Sequence, residues 1–320
     1  MVQKTNLQFV EPLRKKMQAY NRNKQCIVHE CTKKPAHSHV IAEPILGLLK
    51  DAQGKVLTWE HTDEEILVNL IRGNTWNHIY QQPKRIGIGK DATYPIFCDT
   101  HDNDIFTPLE KPGYHSETEQ VALLAYRALC YKTWNPHLGE KLEFELTNQD
   151  PKTALELRRI FSLNTILAAR KKFEYIVRHK DYREMRWIKR IFRIDPCFAC
   201  TDATIPFDGE EDAINIASGK TILTPEDYIT FTFYPEEKLN ASICIITWFK
   251  DNQRGEGFVE DLKLGNPSEE LVRNIIVTRA LSMSLVYTSQ KFWHSLSPEE
   301  KDYLVRLQMR RIPLAARSQN

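Results

Sequence analysis

The order of hydrophobic and polar positions divides the chain into recognisable elements. Lys55–Trp59 (KVLTW) and Arg85–Ile88 (RIGI) alternate with β-branched residues and predict strands. Thr62–Arg72 (TDEEILVNLIR) predicts a short helix, with Thr62 and Glu65 forming a capping box. Ser116 and Glu119 open another helix in the same way, and Val121, Leu124, Ala125, Ala128 and Leu129 share one of its faces. After Pro151 the pattern stays helical to about Phe192. That is too long for one unbroken globular helix, so two helices or a kink near Arg178–Asp181 are expected. The character changes at Asp195–Pro196. Tyr228–Tyr234 (YITFTFY), Ala241–Phe249 (ASICIITWF) and Gly257–Asp261 (GFVED) predict an antiparallel meander. Two helices close the chain, one from Ser268 to about Thr288. The other starts at Ser297-Pro298-Glu299-Glu300, with an N-cap serine and proline at the first helical position. A short helix at Pro12–Tyr20 is expected within the polar, basic residues 1–24. The expected class is α+β in three segments: 1–115 rich in Cys, His, Gly and Pro, 116–195 helical and basic, and 196–320 an α+β unit ending in the meander and two helices.

Composition narrows the setting. Of the 320 residues 42% are hydrophobic, enough for a packed core. The longest mostly apolar stretch, Ala241–Phe249, has nine residues, Ser242 and Thr247 among them, against the ~20 that a spanning helix needs. The start, MVQKTNLQFVEPLRKKM, lacks the apolar stretch of a secretory signal, so a cytoplasmic protein is expected. Net charge is only +2, but residues 150–195 carry 13 basic and six acidic side chains. Such a segment is either an electrostatic footprint for phosphates or a solvated face, since Arg and Lys are good helix formers. No GxxxxGK[ST] loop and no GxSxG elbow occurs, so neither nucleotide hydrolysis nor serine-hydrolase chemistry is expected.

The seven cysteines are odd in number and read as thiols or metal ligands rather than disulfides. Cys26 and Cys31 form a C-x4-C pair, and Cys98 and His101 form C-x2-H in PIFCDTHDNDIF. Two such knuckles brought together supply three thiolates and one imidazole, a donor set suited to a closed tetrahedral zinc site. Zinc would order a loop-rich segment that has little core of its own. His29, inside the first knuckle, reads as a surface residue. Cys197 and Cys200 form C-x2-C with no second pair and read as structural.

Between the knuckles lie His37, Ser38 and His39 in the run SHVIAEP, and directly after the second knuckle stands Asp102. This arrangement resembles the HNH (ββα-metal, or His-Me finger) nucleases. Many of these carry a zinc treble clef, with a hairpin motif such as SHIIP between two cysteine pairs and a His, Asn or Asp after the last zinc ligand. The likeness covers roughly residues 26–106. It implies a treble-clef/ββα-metal-like module followed by the helical and α+β segments. It also implies that His39 is a general base activating water against a phosphodiester, and that Asp102 binds a catalytic Mg²⁺ or Mn²⁺. The zinc would be purely structural. The implied partner is nucleic acid, DNA or RNA. A protein partner or a second copy of the chain is left open, and no membrane is implied. The wider pattern, FCDTHD followed by ETEQVALLAYRAL, resembles uncharacterised bacterial proteins often found among defence-related genes, which implies a role in phage defence.

The chain departs from that pattern at several points. Ser38 replaces the Asp or His that often precedes the base as a second metal ligand, and His37 is a substitute on the same strand face. The middle Asn of the pattern has only Asn74 and Asn77 as candidates. Lys33, Lys34, Lys84, Arg85 and Lys90 would suit phosphate contacts. The alternative expectation is a zinc-stabilised module that binds nucleic acid or protein without catalysis, in which His39 merely hydrogen-bonds a neighbouring strand.

Overall fold

The computed structural model describes residues 25–61, 82–110, 116–134, 163–193, 197–206, 220–261 and 285–309, with the single positions 65, 69, 215 and 277. In chain order its strands and helices are β1 (Ser38–His39), α1 (Glu43–Leu49), β2 (Lys55–Thr58), β3 (Lys84–Gly87), β4 (Thr93–Tyr94), α2 (Asp99–Glu110), α3 (Glu117–Trp134), α4 (Leu163–His179), β5 (Met185–Phe192), β6 (Phe198–Thr204), β7 (Ile229–Glu236), β8 (Ala241–Phe249), α5 (Gln253–Asp261), β9 (Leu285–Thr288), α6 (Gln290–Ser295) and α7 (Pro298–Met309). The class is α+β. No helix among the described residues is long and apolar enough to cross a membrane. The expected helices at Pro12–Tyr20 and Thr62–Arg72 fall outside the described residues, apart from isolated positions in the second.

One antiparallel sheet organises the fold, in the order β3-β2-β9-β6-β7-β8-β5. Its strands come from all three of the segments that composition separates. β2 and β3 come from the first, β5 from the second, and the remainder from the third. The central strands β6, β7, β8 and β9 are buried on both sides, and alternation sorts their side chains to two faces. Along β8, Ile243, Ile245 and Phe249 join the core under α3 and α4, while Cys244, Ile246 and Trp248 join the opposite core. That second core is closed by Val259 of α5, Trp293 of α6 and Leu304 of α7. Burial of both faces explains why ASICIITWF reads as a continuous hydrophobic run rather than an alternating one.

Three expected elements take another form. Met185–Phe192 is a strand, not the end of a helix: all eight residues pair with Phe249–Ser242. Its period of two was masked by the high helix propensity of its Arg and Lys residues, which here decorate an edge strand. Gly257–Asp261 is not a third meander strand but the end of α5. Asn252 caps that helix by accepting from the Gly255 amide at 2.8 Å and the Glu256 amide at 3.0 Å. Leu285–Thr288, placed in a helix by its sequence, is the fully buried strand β9 between β2 and β6. The closing helix matches its expected start, since the Ser297 amide donates to Glu300 and the Glu300 amide to the Ser297 hydroxyl.

α3 is the hub. Buried on most of its circumference, it packs against the sheet on one side and against α2 and α4 on others. Phe106 of α2, Tyr126 of α3 and Phe97 make an aromatic cluster, with Phe97 and Phe106 edge to face at 4.8 Å. The short pair β1–β4 joins Ser38 to Tyr94 and His39 to Thr93. Tyr94 fastens that pair to the main sheet, its hydroxyl 3.3 Å from that of Tyr287 on β9 and its ring against Tyr131.

Candidate metal centre and adjoining histidine–carboxylate site

Each knuckle is built by its own backbone. The Cys31 amide donates to the Val28 carbonyl, and Glu30 takes a left-handed conformation at φ 62°, which turns the chain back on itself. The Cys26 amide donates to the Lys33 carbonyl and closes the loop. The second knuckle is the first turn of α2. Cys98 precedes the helix, which opens at Asp99, so His101 and Asp102 both lie inside its first turn. Two backbone bonds, Ile27 to Ile96 and Ala36 to Phe97, sew the knuckles together.

The outcome is a cluster of Cys26, Cys31, Cys98 and His101 whose donor atoms all lie within 4.8 Å of one another. Cys26 Sγ is 3.3 Å from His101 Nδ1, Cys98 Sγ is 3.5 Å from the same nitrogen, and Cys31 Sγ is 3.9 Å from Cys98 Sγ. Edges of a tetrahedron around zinc, with bonds of about 2.0–2.3 Å, come to roughly 3.5–3.8 Å. Three soft sulfurs and one imidazole at these separations fit zinc, and the expected ligand set comes together complete. Burial pushes the Cys26 thiol up to about 12 in the bare cluster. Cys98 lies below the ordinary thiol value: burial opposes its ionisation, but the His101 amide and the Cys26 and Cys31 thiols outweigh it. A bound cation would draw all three thiols to thiolate. His29 stays outside the cluster, its ring half exposed and 3.7 Å from Glu30.

The knuckle is also moored to the helical layer. The His29 amide donates to Glu174 of α4 at 3.1 Å, and the Tyr126 hydroxyl donates to the other carboxylate oxygen at 3.1 Å. Glu174 is buried, so both donors matter for its solvation.

His39 is half-buried on β1, and its Nε2 lies 2.7 Å from the Ile88 carbonyl. A carbonyl only accepts, so Nε2 carries a proton, and in the neutral ring the lone pair is then on Nδ1. Asp102, also half-buried, is pushed up by burial, against the Arg127 guanidinium, the Ser38 hydroxyl and His39, which all favour its ionised form. His39 is therefore within electrostatic reach of Asp102. The buried Ser38 hydroxyl lies close enough to Asp102 to favour its ionised form, yet neither it nor Asp102 Oδ1 has a hydrogen-bond partner of good geometry among the described residues. His37 is exposed and held by Thr93: the Thr93 hydroxyl donates to the Lys90 carbonyl, so it accepts from His37 Nδ1 at 3.2 Å.

Of the five basic residues expected near phosphate, Lys84 is paired with Glu65 and Arg85 with Asp51. The Lys33 ammonium donates to the Thr100 hydroxyl at 3.1 Å, while Lys34 and Lys90 are exposed. Asn74 and Asn77 lie outside the described residues. Cys197 and Cys200 are buried against the β9 side of the sheet. Asp202 is buried on β6 and paired with Lys132 at 3.0 Å. Sequence reading missed Arg127. It sits in the middle of α3, a helix buried on most of its circumference, and only the packing of α2 on α3 reveals that it faces Asp102.

Comparison with protein-family models, with curated proteins and with solved structures gives no match.

Proposed function

We propose that this chain is a metal-dependent endonuclease of the HNH type, cleaving phosphodiester bonds in DNA or RNA. The observation that carries the reading is the placement of His39 and Asp102. His39 sits on the short β1–β4 pair, and Asp102 lies in the first turn of α2, directly after His101 of the Cys/His cluster. Strand, strand and helix around such a cluster are what a ββα-metal site within a treble clef requires.

In this reading the four-ligand zinc is closed and structural, without an open position for chemistry. His39 is the general base. The Ile88 carbonyl fixes its tautomer, so that Nδ1 can take a proton from water. Asp102 offers a hard carboxylate oxygen with an unused acceptor, next to the Ser38 hydroxyl, a donor set that suits Mg²⁺ or Mn²⁺. When bound there, the ion would stabilise charge on the phosphate and leaving oxygen. Ser38 and Asp102 would hold it, and His37, exposed beside β4, can add a nitrogen donor.

The test is cleavage of a mixed DNA and RNA panel by wild type, His39→Ala and Asp102→Asn, with Mg²⁺ or Mn²⁺ and with chelator. Metal-dependent cleavage lost in both variants supports the proposal. Cleavage that survives His39→Ala overturns it. Tight nucleic-acid or protein binding by a wild type that cleaves nothing under any metal favours the non-catalytic zinc-stabilised module instead.

A further inference from the structure

The proposed site depends on Asp102, and one buried side chain acts directly on that carboxylate. Arg127, in the middle of α3, has a side chain only 2% exposed. Its guanidinium lies over the Phe106 ring at 4.1 Å. Its Nη2 donates to Glu110 Oε1 at 3.0 Å and stands 3.6 Å from Asp102 Oδ1. Among the described residues its Nε and Nη1 make no hydrogen bond, and the same holds for Asp102 Oδ1 and Ser38 Oγ, all of them buried.

This is not what helix packing alone selects. A buried guanidinium is costly unless its donors are used, and an apolar side chain of similar volume would pack on Phe106 without that cost. The guanidinium and the Ser38 hydroxyl both act on the carboxylate that the proposed function assigns to a divalent ion. The ligand set there is thin: one carboxylate, one neutral hydroxyl, and a histidine held by Thr93. A fixed positive charge 3.6 Å from the only carboxylate in that set, offset in part by Glu110 at 3.0 Å, opposes a second cation there.

We propose that Arg127 is a positioning residue that holds the Asp102 carboxylate and guards it against tight capture of a free divalent ion. The inference rests on reading Asp102 as a ligand of such an ion. It predicts that the protein alone binds the ion weakly, because of Arg127 as well as the sparse ligand set.

The experiment is titration of the zinc-loaded full chain with Mn²⁺, following the free-ion signal by electron paramagnetic resonance. It compares wild type, Arg127→Gln, Arg127→Lys, Asp102→Asn and the Arg127→Gln/Asp102→Asn double variant. Zinc content and circular dichroism establish that each is folded. Arg127→Met, which keeps the packing on Phe106, replaces the glutamine variant should that one lose either. Arg127→Gln should bind Mn²⁺ at least about tenfold more tightly than wild type. Arg127→Lys, which keeps the charge, should stay close to wild type. The gain should vanish in the double variant. Arg127→Gln binding no tighter than wild type, while Asp102→Asn weakens wild-type binding, overturns the role of Arg127 and leaves the Asp102 site standing. Binding indifferent to Asp102→Asn in every background puts the ion elsewhere and overturns both.

Discussion

Cys26 Sγ lies 3.3 Å from His101 Nδ1 although 75 residues of chain separate them. That closure turns two weak loops into one unit and gives α2 its start. Purified protein should therefore carry about one zinc per chain, measured by elemental analysis after preparation without chelator. Cys98→Ser should lower solubility and thermal stability rather than remove activity selectively, because metal binding free energy is folding free energy in such a module. A stable, well-folded Cys98→Ser protein would contradict the structural role.

Zinc removal has a predictable range. With chelator the first knuckle should lose protection from amide exchange before the sheet does. Glu174→Ala should mimic part of this by leaving the His29 amide and the Tyr126 hydroxyl without their buried acceptor. Loss of that buried partner should cost about 1–3 kcal/mol. Thermal unfolding of the variant with and without zinc checks it, and equal stability to wild type would remove Glu174 as an anchor.

His39→Ala should lower cleavage by something like 10²–10⁴-fold while zinc content and folding stay as in wild type. His39 lies outside the Cys/His cluster, and its Nε2 is held by the Ile88 carbonyl. His39→Gln, whose amide nitrogen reaches the place of Nε2 and can still donate to that carbonyl but is no base, should be as inactive as His39→Ala. Activity in the glutamine variant would show that the hydrogen bond, and not proton transfer, is what His39 supplies.

The basic segment divides in the structure. Arg170 is buried, Lys172 is paired with Glu226, Lys180 with Glu119 and Lys189 with Glu117. Arg186, Arg190 and Arg193 are exposed on or just after the edge strand β5. If nucleic acid is gripped here, Arg186→Glu together with Arg190→Glu should reduce the slope of log affinity against log salt by about one unit for each phosphate that is no longer neutralised. Reversal at Arg170 should instead destabilise the fold. An unchanged salt slope in the β5 variant would make the edge a solvated face.

Gly255→Ala should destabilise by about 1–3 kcal/mol. A Cβ there would meet the Trp248 ring and Cβ at 2.8–2.9 Å, with no flexible end to move aside. Gly257→Ala in the same helix meets open space and should be tolerated or slightly stabilising. Chemical denaturation of the pair is the measurement, and equal stability of the two variants would contradict the tight packing of α5 on β8.

The sequence alone determined whatever depends on near neighbours and on donor chemistry. The two knuckles announced themselves by residue type and spacing, because soft ligands at short intervals have few other uses. The capped starts at Ser116 and Ser297 were legible because a cap is satisfied within four residues. The mostly apolar run of β8 was legible because burial on both faces leaves it no charged position and only the small hydroxyls of Ser242 and Thr247. Tertiary structure decided the rest. Met185–Phe192 and Leu285–Thr288 become strands only because Ala241–Phe249 on one side, and Thr58 and Phe198–Thr201 on the other, offer open ladders. Gly257–Asp261 turns helical because Asn252 caps it and Trp248 excludes a side chain at 255. The tautomer of His39 depends on a carbonyl 49 residues away, and the surroundings of Asp102 on an arginine from another helix. Local pattern carries no information about such partners, since their energy exists only once distant segments have paid the entropy of meeting.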